Sequence, residues 1–263
     1  MRDIHTHILP GIDDGAASIE AAAAMLQLAA EDGITDMVAT PHWDARYRFD
    51  FDRCSRELAR VRALCPAGPR LYLGCELHLT PENLEAALRE PSRLTLNGNG
   101  YLLVELADCL QPPSVNAAMQ ILVECGLRPI VAHPERNLYI QKNLSYSASL
   151  VAAGCYLQLT AQSLAGSFGS AASRAAWELL RRQMAHFVAS DAHGVDHRRP
   201  VLAKTYGEVA RRCGQKAAQR LFIQNPQAAI AGEPIRHLSS LKRPFWGLFC
   251  RTAEPPEKLD LFT

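Results

Sequence analysis

Short runs of β-branched and other apolar residues recur along the chain, and segments with helical spacing separate them. This alternation is typical of an α/β fold with parallel strands. Seven runs predict strands: RDIH (2–5), TDMVAT (35–40), RLYLGCEL (70–77), YLLVEL (101–106), RPIVAH (128–133), CYLQLT (155–160) and HFVAS (186–190).

Capping residues mark the ends of several predicted helices. Ser18 is a plausible N-cap for the first helix, and Gly33 stands where a C-cap glycine belongs. Pro81 opens a short helix, and Gly126 closes the helix SVNAAMQILVECG. After residue 193 the chain is predicted to be mainly helical.

The composition favours a globular protein and gives no electrostatic case for nucleic-acid binding. Of the 263 residues, 48% are hydrophobic and 21% are charged, with 28 Lys and Arg against 27 Asp and Glu. We find no secretory signal and no apolar run of membrane-spanning length, so we expect a cytoplasmic protein. The eight cysteines form no C-x-x-C pair, which favours reduced thiols in a cytoplasmic core.

The expected organisation is one domain over residues 1–232 and a C-terminal extension over 233–263. The extension contains four prolines and shows no clear period. Its aromatic residues, Phe245 and Trp246 among them, could contact a partner or a membrane surface. We favour the alternative, in which the extension packs on the domain or is partly flexible.

Polar residues stand at the carboxyl ends of most predicted strands. In a parallel barrel these ends lie on one face, so residues distant in sequence should converge there. The residues concerned are His5, His7, His42, Glu76, Glu105, His133, Asp191 and His193.

Imidazoles and carboxylates at one face predict a metal site for Mn, Fe or Zn, and they suit Mg less well. Residues two apart on a strand point to the same side, so His5 and His7 can meet one ion. Glu76 and Glu105 interrupt apolar strands, and a buried carboxylate there needs a cation or an arginine.

Other polar residues have simpler interpretations. Asp13 and Asp14 precede a glycine, as turn residues often do, and we interpret Asp13 in this way. His78, His186 and His237 lie away from the predicted strand ends and are expected to be structural or surface residues. His197 remains undecided.

The motifs DIHTHILPGIDDG, ATPHW, GCEL, LVEL, AHPER, LQLTAQSLAGSFG and ASDAH resemble those of the PHP (polymerase and histidinol phosphatase) superfamily. Within it, the chain looks like the bacterial protein-tyrosine phosphatases that are encoded with capsule and exopolysaccharide synthesis genes. The resemblance covers about residues 1 to 232. It implies a distorted seven-stranded β/α barrel of the TIM-like type that holds three divalent ions, with Mn²⁺ as first choice and Fe or Zn as alternatives.

The resemblance also implies which side chains hold each ion. It favours a ligand role for Asp14 over the role of a turn residue. The first ion would be held by His5, His7, Glu76 and Asp191. The second would be held by Glu76, Glu105 and His133. The third would be held by Asp14, His42 and His193.

Two arginines are candidates for binding the phosphoryl group. Arg136 in AHPER fits this role by resemblance, and Arg198 is the second candidate, with Arg199 as its close rival. Two departures from the family pattern touch the expected pocket wall. Trp43 stands where many relatives have a second histidine, and Asn137 replaces an aromatic residue.

The implied activity is hydrolysis of phosphotyrosine on a protein, which we expect to be a tyrosine kinase of polysaccharide synthesis. A metal-activated hydroxide would be the nucleophile, and a thiol-phosphate intermediate is disfavoured. One alternative is a PHP phosphatase for a small molecule such as histidinol phosphate. The other is a non-catalytic binding module of an exopolysaccharide assembly complex.

Overall fold

The computed structural model describes residues 1–109 and 111–235 of the chain. Seven parallel strands form its centre, and the second and third are each interrupted once. The strands are β1 (Arg2–Thr6), β2 (Asp36–Ala39 and His42–Trp43), β3 (Arg70–Leu73 and Glu76–His78), β4 (Tyr101–Glu105), β5 (Arg128–Ala132), β6 (Tyr156–Thr160) and β7 (Phe187–Ala189).

The strands close into a barrel in sequence order. Each strand pairs with the next, and β1 meets the chain beyond β7 through a bridge between Thr6 and Ala192. Two backbone hydrogen bonds reinforce this closure: Asp191 donates to the carbonyl of His5 at 2.9 Å, and His7 donates to the carbonyl of Ala192 at 2.8 Å. The seven predicted strands and the distorted β/α barrel are therefore confirmed.

The distortion arises from two breaks that lie side by side. Pro41 interrupts β2 because proline has no backbone N–H to donate to the ladder. Gly74 interrupts β3 at a close approach, since a Cβ there would lie 2.8 Å from Leu96 Cδ2. Beyond both breaks, β2 and β3 continue side by side, and His42 pairs with Glu76.

Helices surround the barrel and follow most of its strands. They are α1 (Ile19–Glu31), α2 (Phe51–Leu64), α3 (Pro81–Arg89), α4 (Pro91–Leu94), α5 (Pro112–Glu124), α6 (Leu138–Lys142), α7 (Ser145–Ala152), α8 (Ala161–Leu164), α9 (Gly169–Arg181), α10 (Ala203–Cys213), α11 (Gln215–Gln219) and α12 (Asn225–Ala231), with a π-helical turn at Arg220–Gln224 and 3₁₀ turns at Leu96–Gly98 and Pro134–Arg136. Among the described residues, no helix is long and apolar enough to cross a membrane.

The predicted caps are confirmed. Ser18 Oγ accepts a hydrogen bond from the backbone of Ala21 at 3.3 Å, and Gly33 has a φ of +83° that favours glycine. Helix α2 was not predicted. It is strongly charged, and its buried face consists only of Cys54, Leu58 and Val61, which is a weak periodic signal.

Apolar side chains fill the barrel interior and close one end of it. Ile4, Leu103 and Phe187 are fully buried inside, and Ala229 and Ile230 of α12 cover the end where the strands begin. The polar strand ends therefore lie at the opposite, open end. The predicted boundary at 232/233 is not tested, because residues 236–263 of the extension, with Phe245, Trp246 and His237, lie outside the described residues.

Candidate metal centre

The end of β1 places two imidazoles side by side at the open end of the barrel. His5 lies in β1 and His7 directly follows the last residue of this strand, so their side chains point the same way. Their Nε2 atoms lie 3.2 Å apart, and both rings are buried. Two ring nitrogens so close together require a shared proton or a shared cation between them.

Glu76 lies at the centre of the cluster, just after the break in β3. Its Oε2 lies 3.1 Å from His5 Nε2 and 2.9 Å from His42 Nδ1. His7 Nε2 is 3.3 Å from the same oxygen, and Oε1 lies 2.8 Å from His133 Nε2. One buried carboxylate thus faces four imidazoles, which come from the end of β1, from β2 and from the loop after β5.

Asp191, after β7, uses its two oxygens for different partners. Oδ1 faces His5 Nε2 at 3.3 Å and His7 Nε2 at 3.5 Å. Oδ2 contacts the guanidinium groups of both Arg136 and Arg198. Asp191 therefore joins the imidazole cluster to a pair of arginines.

A second group of side chains lies nearer the solvent. Asp14 Oδ1 is 3.4 Å from His42 Nε2 and 3.4 Å from His193 Nε2. Asp14 is the most exposed of the three, with 43% of its side chain accessible. The loop after β1 therefore brings Asp14 next to His42 and His193.

Glu105 and His133 border the cluster on the β4 and β5 side. His133 Nε2 lies 3.8 Å from Glu105 Oε1. On its other side, Glu105 Oε2 lies 3.2 Å from His78 Nδ1, so His78 belongs to this border and is not merely a surface residue. These three side chains line a cavity of about 340 Å³ together with Arg136 and Asn137.

The donor set fits divalent cations. Four buried atoms of the cluster have close neighbours but no partner in hydrogen-bonding geometry: Glu76 Oε2, Asp191 Oδ1, His42 Nδ1 and His193 Nε2. Such orphaned atoms are costly unless a ligand satisfies them. The donor atoms form four overlapping groups, each within 4.8 Å: His7, Asp14, His42 and His193; His5, His7 and Glu76; His5, His133 and Asp191; and His42, Glu76 and Glu105.

The charge states also suit metal binding. Burial alone would raise the pKa of Glu76, but the surrounding imidazoles, His5 first, outweigh it and hold that pKa well below its usual range. Burial and the neighbouring His7 lower the pKa of His193 to about 2. An ionised carboxylate and a neutral imidazole are the forms that bind metal.

Backbone strain concentrates at this site. Of the five non-glycine residues described with φ in the left-handed region, three belong to the site: His133 at +32°, Asp191 at +54° and Arg198 at +51°. Such conformations persist where the surrounding structure fixes them, and they are common at functional sites. Here they direct an imidazole, a carboxylate and a guanidinium toward the same region.

Asp13 has a contact with the site that the sequence interpretation missed. It does form a turn, since its Oδ1 accepts from the backbone of Gly15 at 3.0 Å, but its Oδ2 also lies 2.7 Å from His7 Nδ1. The same Oδ2 accepts from the backbone of His42 at 3.0 Å. Asp13 therefore fixes the ring orientation of His7, and Gln158 Oε1 does the same for His5 at 2.9 Å from its Nδ1. An Asp-Gly turn gives no sequence signal of this second role.

We expect Asp13→Asn to weaken metal binding about 10- to 100-fold, because carboxylates behind histidine ligands raise ligand basicity and fix the tautomer. The amide can still accept the Gly15 hydrogen bond, so the turn should persist. Titration of the metal-free variant with Mn²⁺ in a calorimeter measures the affinity. Asp44→Asn is the matched control, since Asp44 makes a similar turn in an exposed loop. Equal affinities in Asp13→Asn and wild type would contradict the assigned role.

The structure distinguishes the remaining candidate residues by their position relative to the site. Arg198 points into the site, whereas Arg199 and His197 are exposed and occur in none of the four donor groups. His186 lies at the start of β7, where its Nδ1 accepts from the backbone of Leu157 at 3.1 Å, as expected for a structural residue. Seven cysteines are described, all of them free and outside the donor groups.

The two departures from the family pattern have local explanations. The ring of Trp43 stacks on Phe49 with centroids 6.2 Å apart, and it lines a separate cavity beside α3 and α4. Asn137 donates to the carbonyl of Ala107 at 3.0 Å and caps α6, so it holds together two loops at the cavity wall.

Comparison with known proteins identifies related sequences over most of the chain. Residues 1–231 match the sequence model of a family described as "Capsular polysaccharide synthesis, CpsB/CapC". The chain is 35% identical to CapC of Staphylococcus aureus over 239 residues, which are 89% of this chain and 93% of CapC. It is 34% identical over 206 residues to the tyrosine-protein phosphatase YwqE of Bacillus subtilis, covering 75% of this chain and 79% of YwqE.

A solved structure agrees with the sequence comparison. It comes from a study of YwqE from Bacillus subtilis and CpsB from Streptococcus pneumoniae, which describes them as unique metal-dependent tyrosine phosphatases. The TM-score is 0.85 at 29% sequence identity, covering 92% of this chain and 100% of the other.

Proposed function

The chain belongs to the CpsB/CapC family of capsular polysaccharide synthesis, and from this premise we propose that it is a metal-dependent phosphatase acting on phosphotyrosine in proteins. The observation that carries the proposal is the arrangement around Glu76, where one buried carboxylate faces four imidazoles while two guanidinium groups lie close by on Asp191. Imidazoles and carboxylates bind the metal, and the arginines suit phosphoryl oxygens.

We propose three ions, held as the family resemblance implies. The first uses His5, His7, Glu76 and Asp191, the second uses Glu76, Glu105 and His133, and the third uses Asp14, His42 and His193. The distances within each set support this assignment, although His7 also lies within the third donor group and His42 reaches Glu76. Mn²⁺ is the first choice, since nitrogen and oxygen ligands also suit Fe and Zn. When bound, such ions supply a hydroxide near neutral pH and neutralise phosphoryl charge.

The chain's own residues would bind and orient the phosphate monoester. Arg136 and Arg198 share one oxygen of Asp191, and a phosphate group offers both guanidinium groups better, doubly charged partners. In phosphoryl transfer the protein contributes mainly positioning and charge neutralisation. These arginines are therefore the proposed catalytic residues at the phosphoryl oxygens.

The neighbouring cavity suits the tyrosyl group of the substrate. Its volume is about 340 Å³, and its wall includes apolar side chains of Leu106, Pro134 and Ile140 beside Arg136. An aromatic ring can occupy such a wall while its phosphate remains at the polar edge.

We also propose a physiological substrate and a cellular location. A phosphotyrosine protein of capsule synthesis, namely a bacterial tyrosine kinase, is the proposed partner, because the matched family is described by capsular polysaccharide synthesis. We propose a cytoplasmic location, which agrees with the seven free cysteines among the described residues.

A side-by-side assay tests the proposed substrate class. With Mn²⁺ reconstituted into the metal-free protein, we expect kcat/KM for a phosphotyrosine peptide to exceed that for histidinol phosphate by at least about tenfold, equivalent to about 1.4 kcal/mol in the transition state. Phosphoserine peptide of the same sequence is the control for peptide binding. Faster hydrolysis of histidinol phosphate would favour the small-molecule alternative, and a protein that binds no metal would favour the binding module.

A further inference from the structure

Phe168 lies beside both arginines of the site, and we propose that its ring selects aryl phosphates over alkyl phosphates. The guanidinium carbon of Arg136 lies 4.6 Å from the ring centroid, and that of Arg198 lies 5.9 Å from it. The proposal deepens the proposed function and depends on the same two arginines binding phosphate. It assigns a specificity-determining role to a residue that is neither a ligand nor charged.

Local structure holds Phe168 in place. The turn between α8 and α9 is closed by a hydrogen bond from Ser167 N to Gln162 O at 2.9 Å and another from Gly169 N to Gly166 O at 3.1 Å. Gly166 and Gly169 adopt φ values of +91° and +86°, which favour glycine. The ring is therefore presented by a hydrogen-bonded turn and not by a free loop.

The turn is also fixed to its surroundings on two sides. Trp177 Nε1 donates to Leu164 O at 3.1 Å, which ties the end of α8 to α9. Gln162 donates to the carbonyl of Arg199 at 3.2 Å, which ties α8 to the loop that carries Arg198. Phe168 and Arg198 thus keep a defined relation although they are far apart in sequence.

The Phe168 ring contacts the guanidinium groups of both Arg136 and Arg198, and both groups also contact Oδ2 of Asp191. The electron-rich face of an aromatic ring attracts guanidinium groups, which offsets part of the repulsion between Arg136 and Arg198. Phe168 is only partly buried, so part of its surface is accessible to a ligand. Arg136 lies both beside the Phe168 ring and in the wall of the cavity proposed for the tyrosyl group, so an ester substituent that enters this cavity from a phosphate on Arg136 would pass next to the ring.

An aromatic ester substituent would gain binding energy from contact with the Phe168 ring, whereas an alkyl substituent would not. Aromatic rings attract each other in offset or edge-to-face arrangements beyond the gain from buried area. A purely structural ring would instead affect all phosphates equally, because it would act only through the arginines. The ratio of aryl to alkyl binding therefore separates the two roles.

The test uses the full-length protein loaded with Mn²⁺ and two non-hydrolysable probes, phenylphosphonate and methylphosphonate. We expect Phe168→Leu to weaken phenylphosphonate binding about 2- to 10-fold more than methylphosphonate binding in a calorimeter. Phe168→Tyr keeps the ring and should retain the wild-type ratio. Circular dichroism spectra confirm that each variant is folded.

Phe51→Leu is the matched control, since Phe51 also carries a stacked arginine, with Arg93 at 5.1 Å, but lines the separate cavity beside α3 and α4. Its phosphonate ratio should equal that of wild type. Equal losses for both probes in Phe168→Leu, or no phenyl preference in the wild type, would overturn the proposal. Selective phenylphosphonate binding without hydrolysis of phosphotyrosine peptides would instead count against the proposed function alone.

Discussion

Removal of metal by EDTA should abolish hydrolysis of a phosphotyrosine peptide, and Mn²⁺ should restore it. The donor atoms of Glu76, Asp191, His42 and His193 have no hydrogen-bond partner, and the proposed mechanism takes its nucleophile from water on the metal that they would bind. His7→Ala should have the same effect as EDTA, because His7 Nε2 lies within 3.5 Å of both central carboxylates. Initial rates and bound metal, measured on the same samples, test this expectation.

Thiol alkylation is the matched treatment and should leave most of the metal-stimulated activity intact. Burial raises the pKa of Cys54 and of Cys155 to about 12, so these thiols are poor nucleophiles near neutral pH. The exposed Cys109 and Cys125 lie outside the donor groups. Activity that resists EDTA but disappears on alkylation would contradict the metal-dependent mechanism.

Glu76→Gln should lower kcat/KM by about 1,000-fold or more and release metal. The carboxylate is the shared neighbour of four imidazoles, and its loss removes the negative charge that offsets divalent cations at two proposed sites. An amide presents one neutral oxygen and one N–H group to the same positions. Metal content by mass spectrometry and peptide hydrolysis measure the two effects.

The fold of the metal-free Glu76→Gln variant should persist, because the imidazoles can remain neutral in the absence of metal. Thermal unfolding with and without Mn²⁺ tests this point, since only the wild type should gain stability from the ion. Glu178→Gln is the control, as Glu178 pairs with Arg181 and Arg182 on the surface of α9. Wild-type metal content and activity in Glu76→Gln would contradict the proposed role of Glu76 in metal binding.

The barrel could be predicted from the sequence because the strands are short apolar runs and most of them end in a residue type that can bind metal. His5 with His7, and Asp191 with His193, share a spacing that places both side chains on one side of the chain. Parallel strands then bring these pairs together regardless of their separation in sequence. The family resemblance supplied the grouping of ligands, which spacing alone leaves open.

Other features of the site could not be predicted from the sequence. Asp13 looks like any aspartate in a turn, and its contact with His7 depends on the path of the whole loop. His78 could not be placed beside Glu105 until the register of β3 and β4 was known. Phe168 lies in a glycine-rich stretch, and only the folded chain brings it to two arginines.

The barrel closes between β1 and the segment after β7, so the side chains that meet at this closure are synthesised at different times during translation. The imidazoles of His5 and His7 leave the ribosome first, whereas Asp191 and His193 follow only after nearly the whole barrel has been synthesised. Contacts between such distant segments form late, because the intervening chain must first be ordered. A nascent chain arrested before β7 therefore lacks Asp191 and His193, so the first and third proposed ion sites become complete only after synthesis of the barrel.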